Sequence, residues 1–144
     1  MQTNENTVLF EGEPQNSYTA TKDYIYYSTN FNVQKYNINT KETTVLLDNV
    51  KWSQLSNDGK NLYVDISMNA NGEKIPREIV ALDWDNNIID RIRVDDDLLS
   101  CICYFGGADY LFLHQRKLTG EFYYFDKSKL GTSEHNWVKS QVIN

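Results

Sequence analysis

One pattern of alternation and turns occurs three times in this sequence, and that recurrence limits the possible folds more than any other feature. Strands show as short runs of alternating apolar and polar residues bounded by turn formers. Three such runs are Tyr24–Thr29, Asn61–Ile66 and Tyr110–His114. Each follows a turn: Thr21-Lys22-Asp23, Asn57-Asp58-Gly59-Lys60 and Gly106-Gly107-Ala108-Asp109. A short strand is expected before each turn, at Ser17–Ala20, Trp52–Leu55 and Ser100–Tyr104. A third strand follows a variable loop, over Val33–Ile38, Glu78–Trp84 and Glu121–Asp126, and ends in a polar turn. A fourth closes each repeat, over Thr43–Leu47, Ile88–Val94 and Trp137–Ile143. The matching positions Tyr36, Leu82 and Phe125 lie 46 and 43 residues apart. Four-stranded propeller blades recur at about 40–50 residues. The chain therefore reads as all-β, about three antiparallel four-stranded β-propeller blades in a single domain, with repeats near 14–50, 51–97 and 98–144. Thr7-Val8-Leu9-Phe10 reads as a strand ahead of the first repeat.

Composition agrees with sheets. Ten Tyr, six Phe and three Trp stand against seven Gly and two Pro, a balance suited to half-buried pleated surfaces. No Pro/Ser/Gly-rich linker divides the 144 residues, and no stretch approaches the roughly 20 apolar residues of a membrane-spanning helix. The net charge is −6, and the fourteen Lys and Arg are scattered, whereas nucleic-acid binding calls for a basic stripe. The acidity reads as solubility. The opening MQTNENTVLF has neither a basic n-region nor a long apolar core, so no signal peptide is expected there, and the compartment stays open. Cys101 and Cys103 share one face of a strand at a spacing that strains a disulfide, so both are expected to be reduced and at least one buried. No CxxC and no second Cys/His pair occurs, and neither zinc nor any other metal or cofactor is expected.

Two stretches carry a resemblance. Leu55 to Val64, reading LSNDGKNLYV, resembles the SPDGK-type hairpin of TolB-like propeller repeats. Ile79 to Asp95, reading IVALDWDNNIIDRIRVD, resembles the ALDWDGN segment of bacterial TolB-like six-bladed propellers, common among envelope proteins and lipoproteins. Asn87 stands where that turn has Gly, and about three blades occur where six are expected. The resemblance implies the fold and an envelope or extracytoplasmic location. It carries no shared catalytic residues.

The blade count has a physical consequence. Closed propellers typically have four to eight blades, and three would leave two sheet faces and two edges uncovered. In order of preference, the chain is part of a longer propeller, two chains close a ring of six, or the sheets pack as a sandwich or open barrel.

Candidate sites are few. Asp83, Asp85, Asn87 and Asp90 space their oxygens like the start of a calcium loop, but Ile88 and Val94 occupy the positions that need Gly and Glu, so turn chemistry is the expected role. Asp95-Asp96-Asp97 is the densest charge, at a rim between blades, where a solubilising cap is favoured over a cation site. His114 and His135 sit in no nucleophile motif, and a catalytic role for either would need a partner from another repeat. The aromatics exceed what a core needs. Most are expected between blades, with Phe31 and Trp137 as surface anchors for a carbohydrate or protein ligand. The expected ligand-contacting residues are thus Phe31, Asp95, Asp97 and Trp137, with no catalytic residue. The expected function is a non-enzymatic binding or scaffolding module. One rival is a hydrolase or lyase that uses rim carboxylates on sugars or esters, and another is an assembly unit that completes a propeller ring.

Overall fold

Alternating apolar residues on both sides of a strand demand cover on both faces, and the chain meets that demand by stacking sheets. The computed structural model describes residues 17–98, 101–104, 108–115 and 121–141, with the side chains of 101–104, 115 and 141 left out. Thr7–Phe10 lies outside the described residues. So do the thiols of Cys101 and Cys103, whose backbone lies in a strand. The first sheet contains β1 (Tyr18–Ala20), β2 (Tyr24–Ser28), β3 (Asn32–Asn37) and β4 (Thr43–Asp48). The second contains β5 (Gln54–Asn57), β6 (Leu62–Met68), β7 (Lys74–Leu82) and β8 (Ile88–Arg93). The third contains β9 (Cys101–Tyr104), β10 (Tyr110–Gln115), β11 (Glu121–Asp126) and β12 (Val138–Gln141). Each is an antiparallel meander in chain order. The three second strands expected from the sequence are β2, β6 and β10, each paired with the strand before it.

The repeat is exact enough to align residue by residue. Asn37, Asp83 and Asp126 each accept a hydrogen bond from the backbone N–H two residues on, at 2.9, 2.9 and 2.8 Å. A short polar side chain that bonds the backbone ahead of it closes the turn after the third strand, which is why Asn or Asp recurs there. The residues just before them, Tyr36, Leu82 and Phe125, are all buried. They pair across the sheet with Ile25, Leu62 and Leu111 respectively. Asp83 also accepts from the Asn87 backbone and side chain, so the calcium-like spacing closes a turn, as expected. The left-handed residue of that turn is Asn86, with φ 71°. The departure from the glycine of the resembled motif therefore falls at Asn86, one residue before Asn87.

This alignment fixes which face meets which. Side chains alternate across a strand, so Ile25, Leu62 and Leu111 share one face, the leading face, and Tyr26, Tyr63 and Phe112 share the other, the trailing face. One core holds Tyr26 and Val33 of the first sheet against Leu62, Val64, Val80 and Leu82 of the second. The other holds Tyr63, Ile79, Ala81 and Ile92 of the second against Leu111, Leu113 and Phe125 of the third. Trailing face meets leading face twice, in the same sense. A two-sheet sandwich would be closed by its pair of inner faces, whereas this order is that of consecutive propeller blades, not closed into a ring among the described residues.

One expectation is corrected at the join between sheets. The alternation over Trp52–Leu55 places Trp52 in a strand, but β5 begins at Gln54, and Trp52 is exposed with φ 55°. The chain must turn there to leave β4 for the next sheet, and Lys51 Nζ lies 4.9 Å from the indole centroid.

The Asp58-Gly59 hairpin between β5 and β6 has the expected form. Gly59 has φ +84°, and Asp58 Oδ1 accepts from the N–H groups of Lys60 and Asn61 at 2.9 and 2.8 Å. The sequence suggests a looser loop at Asn71-Gly72, where a side chain would cost less. Gly72 instead has φ +85° in a turn held by its N–H to Asn69 C=O at 3.0 Å. Left-handed backbone penalises a β-branched residue wherever it occurs. Gly59→Val and Gly72→Val should therefore each lower stability, by about 1–2 kcal/mol. Urea melts of the two variants check this, and an unchanged midpoint in either would contradict the left-handed assignment at that turn.

Candidate functional site

The hairpin that sets the register of the second sheet also places a carboxylate against the third. With Oδ1 occupied by the turn, Asp58 Oδ2 faces the third sheet and accepts from Lys127 Nζ at 2.8 Å and from the Tyr63 hydroxyl at 2.7 Å. Lys127 stands in the turn after β11, held there by its own N–H to Asp109 C=O at 2.9 Å. Its ammonium also lies 4.9 Å from the Tyr63 ring centroid. The Lys127 and Asp58 side chains are only 7% and 9% exposed. Such a pair is held by charge-assisted bonds, and its loss on one side leaves a buried charge, which is costly.

These contacts set the protonation of the cluster. Burial on its own pushes the Asp58 carboxyl up, but the donors from Lys127, Asn61, Tyr63 and Lys60 outweigh it and hold the group well below the usual carboxylate range. Burial pushes the Tyr63 hydroxyl up, the Asn61 amide opposes this, and the Asp58 carboxylate reinforces it. The carboxylate stays ionised and the phenol stays protonated, so neither is poised to exchange a proton near neutral pH.

Above the cluster opens a cleft of about 460 Å³ between the second and third sheets. Its walls include Lys60, Asn61, Tyr63, Asp109, Tyr110 and Asp126. The volume falls within the range of small-ligand sites, and the lining is more polar than is usual for them. The cleft lies at the end of the sheets formed by the first-to-second and third-to-fourth strand turns.

Other polar ties join the sheets. Lys35 of β3 reaches the β7–β8 turn, with Nζ 3.2 Å from Trp84 C=O and 3.0 Å from Asn86 Oδ1. Burial pulls its ammonium below the usual lysine value, and Asp85 opposes that. Arg77 grips Asp65 through Nε (3.0 Å) and Nη2 (2.6 Å), and its Nη1 reaches Leu98 C=O at 3.3 Å. That bidentate pair sits within the second sheet and ties down the connection to the third. At the outer edge, Asp90 Oδ2 accepts from Gly131 N–H at 2.8 Å and lies 2.9 Å from His135 Nε2. His135 thus does find a carboxylate from another repeat, and the contact clamps the segment after β11 onto β8.

The four residues expected to contact a ligand are not brought together. Phe31 is 62% exposed in the β2–β3 loop, at the opposite end of the sheets from the cleft. Asp95 and Asp97 are exposed in the β8–β9 connection, where Asp95 C=O accepts from Leu98 N–H at 2.9 Å to close a 3-10 turn at Asp96–Leu98. Trp137 is half-buried on the outer edge, packed 5.7 Å from Phe125, with its indole N–H donating to Arg93 C=O at 2.9 Å. Among the described residues no group of three or more His, Cys, Asp or Glu could hold a metal ion, and no helix is long and apolar enough to cross a membrane. The cleft itself was not found from the sequence. Asp58 carried a turn signal, but its bond to Lys127 spans 69 positions, and a lysine in a polar turn gives no sign of its distant partner. No protein-family model matches the chain, and no curated protein matches it at a significant level.

Asp58→Asn removes the charge but keeps the shape, leaving Lys127 without its carboxylate. A loss of about 3 kcal/mol is expected at neutral pH. Because the folded-state pKa of Asp58 is depressed, its contribution is full above the unfolded carboxylate value of about 4 and fades as pH falls below it. The stability gap between wild type and Asp58→Asn, read from urea melts, should narrow from pH 6 to pH 2. A constant gap would contradict the ionised assignment.

Proposed function

We propose that the chain is a non-enzymatic binding module of a TolB-like bacterial β-propeller protein, and that the cleft between the second and third sheets takes a carbohydrate. The observation that carries this reading is the lining of the cleft. Exposed Tyr110 stands among an amide, carboxylates and an ammonium, from Asn61, Asp109, Asp126 and Lys60, with Tyr63 buried beneath them. Sugars present apolar C–H faces and rings of hydroxyls, and an exposed aromatic ring flanked by polar groups suits both. The TolB-like and envelope parts of the reading rest on the resemblance over residues 55–64 and 79–95.

The hydrolase or lyase reading has less support. Acid/base work needs one carboxyl held up near neutral pH beside one held down. In the cleft, hydrogen bonds from Ser128 draw Asp126 below its usual value, and Asp58 is drawn down as well. Asp95 and Asp97 lie on the far rim.

The test is a ¹⁵N NMR titration with a panel of neutral oligosaccharides and, separately, of short peptides. Saturable shifts at the amides of Lys60, Asn61, Asp109 and Ser128 are expected with a sugar, weakened about tenfold in Tyr110→Ala. Shifts with peptides alone would make the ligand a protein segment. Shifts with neither panel would overturn the cleft as a binding site.

A further inference from the structure

We propose that Asp90 and His135 form a pH-sensitive latch, which sets the wall of the cleft from the outer edge of the second sheet. The latch regulates the site proposed above, so its effect on a sugar rests on the carbohydrate reading. Its effect on the wall does not.

The argument starts from a difference between repeats. The connection from third to fourth strand spans residues 38–42 in the first sheet, 83–87 in the second and 127–137 in the third. Those are five, five and eleven residues, so the third carries six that a turn does not need. Its first half lines the cleft, through Lys127, Ser128 and Leu130. Its second half lies against β8. Gly131 N–H donates to Asp90 Oδ2 at 2.8 Å, and His135 Nε2 stands 2.9 Å from the same oxygen. The Trp137 indole N–H donates to Arg93 C=O at 2.9 Å. Leu130 and Gly131 are neighbours in sequence, so whatever holds Gly131 on β8 also fixes where Leu130 stands in the wall.

The chemistry of the contact makes it sensitive to protons. Asp90 Oδ1 accepts from the Arg91 N–H at 2.7 Å, and the Asp90 side chain is 9% exposed. The His135 side chain is 25% exposed, so water reaches the imidazole without unfolding. Imidazole is the side chain whose charge changes near neutral pH. In its neutral form it can donate to a carboxylate only in the tautomer with the proton on Nε2. Once protonated, Nε2 is always a donor and the contact is charge-assisted, hence shorter and stronger. The latch therefore tightens as pH falls.

The surrounding charges are otherwise engaged. Arg91 and Arg93, on the alternate face of β8, meet Glu78 and Asp96. Within the connection, Lys129 and Glu134 pair with each other at 2.6 Å. From β11 the Phe125 ring packs edge to face 6.1 Å from the imidazole, and on β12 Lys139 is engaged by Glu121. Among the described residues, Asp90 is the charged group within hydrogen-bond reach of His135. The floor of the cleft does not share the dependence, since Asp58 is drawn down and Tyr63 is pushed up, both away from neutral pH. A wall already held in place loses less freedom when a ligand arrives, so the protonated latch favours binding.

Relaxation of the ¹⁵N amides, measured without ligand at pH 5.5 and pH 8, reads the wall directly. Order parameters at Ser128, Leu130 and Gly131 are expected to be higher at pH 5.5 in the wild type. They should differ little between the two pH values in His135→Gln and Asp90→Asn, whose folding circular dichroism checks. With the neutral oligosaccharides of the panel above, wild-type dissociation constants should be about threefold lower at pH 5.5, and the two variants should lose that difference. A wild-type wall with the same order at both pH values overturns the latch. So does a pH dependence that survives His135→Gln, which assigns it to another group such as His114. A wall that responds while no sugar binds supports the latch and removes the carbohydrate reading. Sugar binding that ignores pH overturns the latch and keeps that reading.

Discussion

A four-stranded sheet with apolar side chains on both faces is stable only when both are covered, and this requirement organises the whole chain. Tyr63 and Val64 are adjacent in β6 and both fully buried, one into each core. The second sheet therefore has no solvent face at all. It is the centre of the structure, and the first and third sheets exist in their observed positions because they cover it. Burial of this kind is non-directional, at about 25 cal/mol per Å² of apolar surface, so it explains why the sheets stack but not at what angle.

Directional contacts supply what burial cannot. Lys35 fixes the first sheet to the turn of the second, and Asp58 with Tyr63 fixes the second to Lys127 of the third. Each tie places a charge where its partners are set by backbone turns, so a slip or rotation between sheets would strand a buried ion. Buried ionic contacts are a poor source of net stability and a good source of registration. The same contacts give the cleft its floor. A carboxylate engaged by four donors holds its neighbours in place and has little capacity left for chemistry, which is why the geometry favours holding a ligand over transforming one.

Much of the fold was legible in the sequence because its signals are local. The Asx turns at Asn37, Asp83 and Asp126, the Asp58-Gly59 hairpin and the spacing of Tyr36, Leu82 and Phe125 each depend on residues within a few positions of one another. The site was not legible, because it is made by contacts between repeats. Trp52 looked like a strand residue since a tryptophan beside Ser53 and Leu55 fits the alternation, yet the need to cross between sheets turned its backbone left-handed. Trp137 looked like a surface anchor because it borders a polar loop, yet Phe125 and the Arg93 carbonyl hold it. Gly72 looked like part of a slack loop, since nothing in Asn71-Gly72 announces the bond to Asn69 that closes the turn.

The sense in which the sheets stack is the claim on which the cleft and the ties both depend, and nuclear Overhauser contacts between side chains read it directly. Stacking of trailing face on leading face places the Tyr63 ring among the Leu111 and Leu113 methyls, and the Tyr26 ring among those of Leu62 and Val64. Those cross-peaks are the expected result. Cross-peaks from Tyr63 to the rings of Phe112 and Tyr124 instead would show like faces packed together, and would contradict the propeller order.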